Sequence, residues 1–291
     1  MKGRIYLVDL NEKSALPKAT ELKIDAGKDF DKANFHPHGL SSYLVNGAVR
    51  LFVITHTKND YDTTILAFDY DAKTKTLHLK KTYKDKTMVK PNDLVATGPD
   101  SFIFTNDGAF INVILNVLEL FFAYPGGSVV SYDGQAYYTI LPSRLGPNGI
   151  TYDAKKNVLF VAQFGEKAVF AYRLAKDKKS VQELSEVVVN TGVDNLDLNE
   201  DGSILAGCHP IAHKVLDMIN HATDPKVLAP SQILRLVYDD AYKTAKVTEI
   251  YANDGSEVTG STVAVLHKQH LLIGTVCRTL LHCTVTDPHT L

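Results

Sequence analysis

The chain has 291 residues, of which 45% are hydrophobic and 22% are charged, and its formal net charge at pH 7 is −2. This composition is enough for a sizeable hydrophobic core, and a chain of this length can fold as a single all-β domain. Because the net charge is small and the Lys and Arg residues are scattered, nucleic acid is not expected as a partner.

The first predicted element is an apolar strand at 5–8, directly after a short basic start. The charged head and long apolar stretch of a signal peptide do not precede it. The chain also has no Asn-x-Ser/Thr acceptor for N-glycosylation. A start inside a strand favours a truncated first blade.

Five short sequence motifs, which we call words, recur along the chain. Each places polar side chains at the start of an apolar strand. They are His38-Gly39-Leu40, Asn92-Asp93-Leu94, Asn148-Gly149-Ile150, Asp194-Asn195-Leu196 and Ser261-Thr262-Val263. Each word is followed by a turn and a second apolar run, and the spacing of the words is close to the roughly 40–50 residues of one four-stranded blade, with one longer interval. The repeat predicts an all-β propeller, in which equivalent positions of different blades converge on one axis.

The polar residues of these words have two interpretations. Convergent Asn and Asp oxygens suit a hard cation such as calcium, which takes about 6–8 oxygen ligands. Alternatively, these side chains satisfy one another and water in a polar tunnel, as buried Asn side chains commonly do. The residues alone leave both interpretations open.

Strand and turn patterns occupy most of the remaining chain. Hairpins are predicted at 64–79, 127–141, 158–172 and 233–251, each around a polar turn. Such meanders place sequence neighbours side by side in one blade. The less regular segment 212–230 contains two prolines and is predicted to be a connection.

The longest apolar stretch, 109–124, is shorter than the roughly 20 residues that span a bilayer. It contains Asn112, Asn116 and Glu119, and its apolar residues occur nearly all round a helix. Two interpretations stay open for this segment: a lid or membrane-surface helix beside the active-site mouth, in contact with lipid, or a plain buried helix.

Seven ordered words of the chain resemble the paraoxonase/arylesterase family. They are Pro37-His38-Gly39-Leu40-Ser41, 92–99, Thr105-Asn106-Asp107, Asn148-Gly149-Ile150, Gly207-Cys208-His209-Pro210, 260–264 and 271–276. The resemblance extends from Gly3 to Cys283. It implies a six-bladed β-propeller that forms one domain over 1–291 and carries two calcium ions in its central tunnel. It further implies an extracellular enzyme that hydrolyses aryl esters and lactones.

Six residues of this chain match the calcium ligands of the family. The resemblance assigns Asn92, Asn148, Asp194 and Asn195 to a catalytic calcium, and Asp93 with the backbone carbonyl of Leu40 to a structural calcium. This assignment is chemically reasonable, because calcium accepts neutral amide and carbonyl oxygens as well as carboxylates.

His38 and His56 match the imidazole pair of the family. In this reading one imidazole takes a proton from water, and the second orients the first and accepts charge. Calcium would polarise the ester carbonyl as water attacks. Elsewhere in the matched words, Cys208 is expected to be a packed structural cysteine and His209 to orient groups in the pocket.

The chain departs from the family pattern in three places. The family's upstream segment, with one carboxylate for each calcium, has no match here, so both calcium sites should be weaker. The first blade and the closing strands of the propeller are therefore expected to be incomplete, with an exposed sheet edge. Cys283 matches the family's carboxyl-terminal disulfide position while the partner is missing, and Gly108 stands where the family has a histidine.

Three functions remain open from the sequence. The first is a calcium-dependent arylesterase or lactonase. The others are a truncated, inactive propeller that acts as a binding protein, and a gluconolactonase-like sugar lactonase. The pair His38/His56 and the apolar segment 109–124 favour a lipophilic substrate over a sugar lactone.

Overall fold

The computed structural model describes residues 3–11, 17–28, 30–57, 62–112, 114–115, 118–119 and 122–286. The chain forms two compact units. Unit 1 comprises Met1–Arg144 and Ala175–Ser180, and unit 2 comprises Leu145–Leu174 and Val181–Leu291. Within the described ranges, no helix has both the length and the apolar character needed to cross a membrane.

Unit 1 contains two blade-like sheets and one small sheet. The small sheet pairs β1 (Tyr6–Val8) with β2 (Ala19–Glu21). A five-stranded sheet has the order β3-β7-β6-β5-β4 and consists of β3 (Lys23–Asp25), β4 (Pro37–Val45), β5 (Ala48–His56), β6 (Thr63–Asp71) and β7 (Thr76–Tyr83). A four-stranded meander follows, with β8 (Pro91–Gly98), β9 (Ser101–Asn106), β10 (Gly127–Tyr132) and β11 (Tyr137–Arg144).

The central strands of unit 1 are buried on both faces. Phe52 packs in one apolar cluster with Phe102 of the next sheet, whereas Val53 packs in another cluster with Leu66. Burial on both faces explains why the sequence at 51–54 is continuously apolar and does not alternate.

Local chemistry fixes the register of β4 on β5. The two strands are joined by Asn46 and Gly47, whose φ angles are 50° and 82°. Two left-handed residues in a two-residue turn give the twist that antiparallel strands need, and the Asn-Gly pair is the preferred solution. The turn therefore sets which residues of β5 oppose the first residues of β4.

Unit 2 contains three blade-like sheets. The first is β12 (Pro147–Asp153), β13 (Val158–Gln163), β14 (Ala168–Leu174) and β15 (Val181–Val188). The second is β16 (Gly192–Leu198), β17 (Ile204–His209), β18 (Ser231–Tyr238) and β19 (Ala245–Asn253). The third has three strands, β20 (Ser261–His267), β21 (His270–Thr275) and β22 (Leu281–Thr284).

One helix in unit 2 was missed by the sequence interpretation. The predicted connection between β17 and β18 contains α1 (Ala212–Asn220), which buries Val215 and Met218. No side chain caps its amino terminus, and its first turn has no acidic residue. The usual start signals of a helix are therefore lacking, which explains the omission.

Edge strands of successive sheets lie side by side within each unit. In unit 1 β4 lies beside β8, and in unit 2 β12 lies beside β16 and β16 beside β20. Glycine permits this approach: a Cβ on Gly39 would lie 2.7 Å from the Cα of Asp93, and a Cβ on Gly149 would lie 2.4 Å from the Cα of Asn195. Gly39 and Gly149, the second residues of their words, therefore contact residues of the next word along the chain.

The predicted all-β class is confirmed. All four predicted hairpins are present, and the sheets repeat in the manner of propeller blades, with two in unit 1 and three in unit 2. Over the described ranges the structure shows five such sheets, and a sixth blade is not among them.

Candidate active site

The two predicted catalytic imidazoles lie in contact in unit 1. Nδ1 of His38 is 3.0 Å from Nε2 of His56, and the ring centroids are 5.2 Å apart. Pro37 pairs with Thr55, and regular pairing resumes only at Leu40. A bulge of this kind redirects side chains at a strand end, and here it lies at His38, on the strand next to His56.

The surroundings of His56 keep its ring neutral. Burial, together with the smaller effects of the neighbouring imidazoles of His38 and His36, lowers the pKa of His56 to about 4. Its Nδ1 lies 2.8 Å from the hydroxyl of Thr63. When Nδ1 of His56 carries the proton, Nε2 of His56 accepts a hydrogen bond from Nδ1–H of His38, and Nε2 of His38 becomes a proton acceptor.

A second polar group of unit 1 surrounds the predicted calcium ligands Asn92 and Asp93. Both side chains are buried. Oδ1 of Asp93 accepts a hydrogen bond from the backbone N–H of Leu94 at 2.8 Å. Nδ2 of Asn92 lies 3.3 Å from a carboxylate oxygen of Asp107, so Oδ1 of Asn92 is the atom that suits a cation. Leu40 directly follows the bulge and Gly39, which packs against Asp93.

Lys90 belongs to the same polar group and was missed by the sequence interpretation. Its ammonium lies 3.1 Å from Oδ1 of Asp107, and its side chain is only 17% exposed. The residue directly precedes the word Pro91-Asn92-Asp93, but no spacing rule marks it as functional. A cation held here opposes the binding of a second cation nearby.

The predicted ligands of unit 2 lie on β12 and β16. Gly149, which follows Asn148, packs against the backbone of Asp194 and Asn195. Oδ2 of Asp194 lies 2.8 Å from Nε2 of His209, which is only 4% exposed. From the sequence, His209 was expected only to orient groups in the pocket. The structure places it in contact with Asp194, which supplies the one carboxylate of this group.

The donor chemistry of the group in unit 2 fits calcium. Oxygen atoms of Asn148, Asp194 and Asn195 are the kind of ligand that calcium accepts. Over the described ranges, no three His, Cys, Asp or Glu side chains lie close enough to hold a metal. A cation in this group would therefore depend on amide oxygens, with Asp194 as its carboxylate. Asn92 lies in unit 1, and its place in the same ligand set stays a prediction.

Two further ionisable groups of unit 2 are buried. Burial raises the pKa of the Cys208 thiol, whose sulfur lies 3.6 Å from the carbonyl oxygen of Ala206. A thiol in this state is a weak nucleophile, which supports the structural interpretation of Cys208. Burial also raises the pKa of Asp197 to about 6. No motif in the sequence drew attention to this carboxyl group.

The segment 109–124 presents apolar side chains to solvent. Residues 114–115 and 118–119 are helical, while the parts of the expected helix at 113, 116–117 and 120–121 lie outside the described residues. Glu119 is buried, and its carboxylate accepts hydrogen bonds from the backbone N–H groups of Ala109 and Phe110. The exposed apolar side chains are Ile111, Ile114, Leu115, Leu118, Phe122 and Tyr124.

Comparison with protein families and curated proteins gives concordant matches. The model of the family described as Arylesterase matches residues 1–285. Serum paraoxonase/lactonase 3 of Oryctolagus cuniculus is 33% identical over 285 residues, which cover 97% of this chain and 77% of that protein. Serum paraoxonase/arylesterase 2 of Gallus gallus is 34% identical over 283 residues, which cover 97% of this chain and 76% of that protein.

Solved structures share the fold at much lower sequence identity. The periplasmic gluconolactonase of Pseudomonas aeruginosa is 12% identical, with a TM-score of 0.52 over 92% of this chain and 74% of that one. A luciferin-regenerating enzyme is 11% identical, with a TM-score of 0.52 over 88% of this chain and 73% of that one. At these identities the likeness concerns the fold alone.

Proposed function

The chain belongs to the arylesterase family, and on that premise we propose that it hydrolyses aryl esters and lactones. The observation that carries the proposal is the contact between His38 and His56. A neutral His56 can accept the Nδ1–H of His38, which makes Nε2 of His38 the atom that takes a proton from the water that attacks a carbonyl.

The proposed proton path uses only side chains that contact one another. Nε2 of His38 takes a proton from the attacking water, and the positive charge on its ring is shared through Nδ1–H with Nε2 of His56. Thr63 holds the ring of His56 by its Nδ1 atom. The proton returns from His38 to the leaving alkoxide or phenoxide, so that the pair is restored after each turnover.

We propose two groups of calcium ligands. In unit 2 they are Asn148, Asp194 and Asn195, and in unit 1 they are Asp93 and the backbone carbonyl of Leu40, with Asn92 beside them. When bound, calcium supplies polarisation of the substrate carbonyl and stabilisation of negative charge on its oxygen. The close approach at Gly39 and Gly149 supports this proposal, because it brings the polar residues of neighbouring strands together.

Hydrolysis of phenyl acetate and of a medium-chain lactone by the purified chain tests the proposal. We expect His38→Gln and His56→Gln each to lower kcat by about 10²–10⁴-fold, the usual contribution of a positioned acid or base. His221→Gln is the matched control, because His221 is an exposed histidine at the end of α1. Equal activity of His38→Gln and the control would exclude the proposed base.

A lipid surface is the partner that we propose for the segment 109–124. Six large apolar side chains in this segment are exposed, and Glu119 ties its backbone to Ala109. Exposed apolar side chains clustered in one short segment suit the interfacial region of a membrane or lipid particle. Phe122→Ser should reduce co-sedimentation with phosphatidylcholine vesicles, whereas substitution of the isolated exposed Leu44 by Ser should not.

The second candidate function is an inactive propeller that binds a ligand without turnover. The observation that favours it is the ammonium of Lys90, which lies beside Asp107 and close to Asn92 in the group that would receive calcium. If this charge prevents calcium binding, the chain should bind lactones without hydrolysing them. Lactone binding by calorimetry, with no product after prolonged incubation, would favour this candidate.

Several finer expectations remain proposals. We propose that the chain acts as one propeller domain with six blades, of which five are present among the described residues. An extracellular location is proposed from the family alone. A sugar lactone is the less favoured substrate, because the exposed apolar segment suits a lipophilic ester better.

A further inference from the structure

A second direct contact between two imidazoles lies in the third sheet of unit 2. Nδ1 of His270 on β21 is 2.9 Å from Nε2 of His282 on β22. The ring centroids are 5.1 Å apart, and the ring planes differ by 24°. Both side chains are half-buried, so they remain accessible to solutes. Neither residue belongs to the proposed active site.

The register of the sheet places further polar groups beside this pair. His267 lies directly opposite His270 at the end of the β20–β21 hairpin. Directly opposed residues of an antiparallel pair project from the same face. Nδ1 of His267 lies 3.4 Å from an oxygen of the exposed Glu200. One face of the sheet therefore carries three imidazoles and a nearby carboxylate.

The distance between the two nitrogen atoms matches a metal chelate. Nitrogen atoms bound at about 2.0–2.1 Å and about 90° to one another lie about 2.9 Å apart, as in square-planar Cu²⁺ or Ni²⁺ sites. A tetrahedral angle would place them at about 3.3 Å. The observed 2.9 Å therefore matches the separation of two cis nitrogen ligands in a tetragonal site.

We propose that His270 and His282 form a binding site for a divalent transition metal such as Ni²⁺ or Cu²⁺. Two imidazole nitrogens supply the protein ligands, and water completes the coordination. Over the described ranges no third His, Cys, Asp or Glu lies close enough to complete a three-residue site. The bound ion replaces the proton that the two rings share and joins β22 to β21, in a sheet that has three strands over the described ranges.

This site differs in chemistry from the proposed calcium groups. Calcium prefers oxygen ligands, whereas imidazole nitrogen suits the later first-row metals. Excess calcium should therefore occupy the oxygen sites and leave His270 and His282 available. The exposed thiol of Cys277 is a competing soft ligand, and the Cys277→Ser substitution removes it.

Calorimetric titration of Ni²⁺ into the Cys277→Ser chain, with calcium in excess, tests the inference. We expect one saturable site whose affinity falls by about tenfold or more in His270→Gln and in His282→Gln, since loss of even an outer-shell partner has an effect of that size. All chains in the titration also carry His38→Gln, because His38 and His56 have nearly the same nitrogen separation and would bind Ni²⁺ as a second pair. The control His221→Gln should keep the affinity unchanged.

Two further readouts make the outcome decisive. Nitrogen hyperfine splitting in the electron paramagnetic resonance spectrum of the Cu²⁺ complex should correspond to two imidazoles. Ni²⁺ should raise the melting temperature of the Cys277→Ser chain but not that of its His282→Gln derivative, because ligand binding to the folded state stabilises it. The inference is wrong if no saturable binding occurs below about 1 mM. It is equally wrong if His282→Gln binds Ni²⁺ as the unsubstituted chain does.

Discussion

His209 and Asp194 form a buried pair, with Nε2 of His209 2.8 Å from Oδ2 of Asp194 across β17 and β16. The ring of His209 is almost wholly enclosed, and its Nδ1 has no hydrogen-bond partner among the described residues. The pair fixes the orientation of the only carboxylate in the proposed calcium group of unit 2. This contact gives His209 the role of a positioning residue.

Replacement of His209 should therefore destabilise the fold through Asp194. In His209→Phe the enclosed carboxylate loses its hydrogen-bond donor, which should lower the free energy of unfolding by about 1–3 kcal/mol. His209→Gln keeps an N–H donor and should lose less. Urea unfolding of the two variants measures the difference. Equal losses would mean that packing, not the contact with Asp194, determines the effect.

His56 should make the stability of the protein depend on pH. Its pKa is about 4 in the folded protein and near 6.5 when the chain is unfolded. Between these values the unfolded chain binds the proton and the folded protein does not, so stability falls as the pH falls from 6.5 to 4. The loss due to this group is of the order of 3 kcal/mol.

Denaturant unfolding at several pH values measures this contribution. Between pH 7 and pH 4, His56→Gln should lose less stability than the unsubstituted protein, because glutamine does not titrate in this range. His221→Gln should follow the unsubstituted protein. Parallel curves for His56→Gln and the unsubstituted protein would contradict the proposed burial of a neutral ring at His56.

Lys90 should weaken calcium binding in unit 1. Its ammonium lies beside Asp107, which itself contacts Asn92. Lys90→Met removes the positive charge and should lower the calcium dissociation constant by roughly three- to tenfold. Lys84→Met is the matched control, since Lys84 also pairs with an aspartate but is largely exposed. Calorimetric calcium titration compares them, and equal affinities would show that Lys90 does not act on the site.

Gly149 should be essential for the arrangement of the calcium ligands in unit 2. A Cβ at this position would lie 2.4 Å from the Cα of Asn195, so Gly149→Ala must displace one strand from the other. Overpacking of this kind typically lowers stability by about 1–3 kcal/mol. Gly149→Ala should also weaken calcium binding.

Gly47→Ala provides the control for Gly149. A Cβ on Gly47 meets nothing within 4 Å, but its φ of 82° disfavours alanine. This substitution should therefore lower stability through backbone strain and leave calcium affinity unchanged. If Gly149→Ala also leaves calcium affinity unchanged, the contact with Asn195 does not support the ligand group.

The repeated strands and turns could be predicted from the sequence because residues close together in the chain determine them. The words at 38–40, 92–94 and 148–150 each lie near the start of an edge strand of a sheet, as expected from their polar-to-apolar transition. The hairpins followed from polar turn residues such as Asp133-Gly134 in the hairpin at 127–141, where Gly134 adopts a φ of 102°. No local pattern in the sequence indicated whether the chain forms a further sheet in addition to the five that the words mark.

Contacts between distant segments could not be predicted from local patterns. His38 and His56 lie 18 positions apart with no motif that links them, and only the family resemblance joined the two residues. The contact of Lys90 with Asp107 depends on the pairing of β8 with β9. The exposure of the apolar side chains at 109–124 likewise depends on tertiary contacts such as that of Glu119 with Ala109, and periodicity does not reveal these.

The most direct test of the account is a calcium titration of the metal-free chain, with hydrolysis of phenyl acetate and a medium-chain lactone as the readout. The account predicts activity that rises to saturation with calcium, disappears in excess chelator, and is largely lost in His38→Gln at every calcium concentration. Hydrolysis that continues unchanged in excess chelator would contradict it.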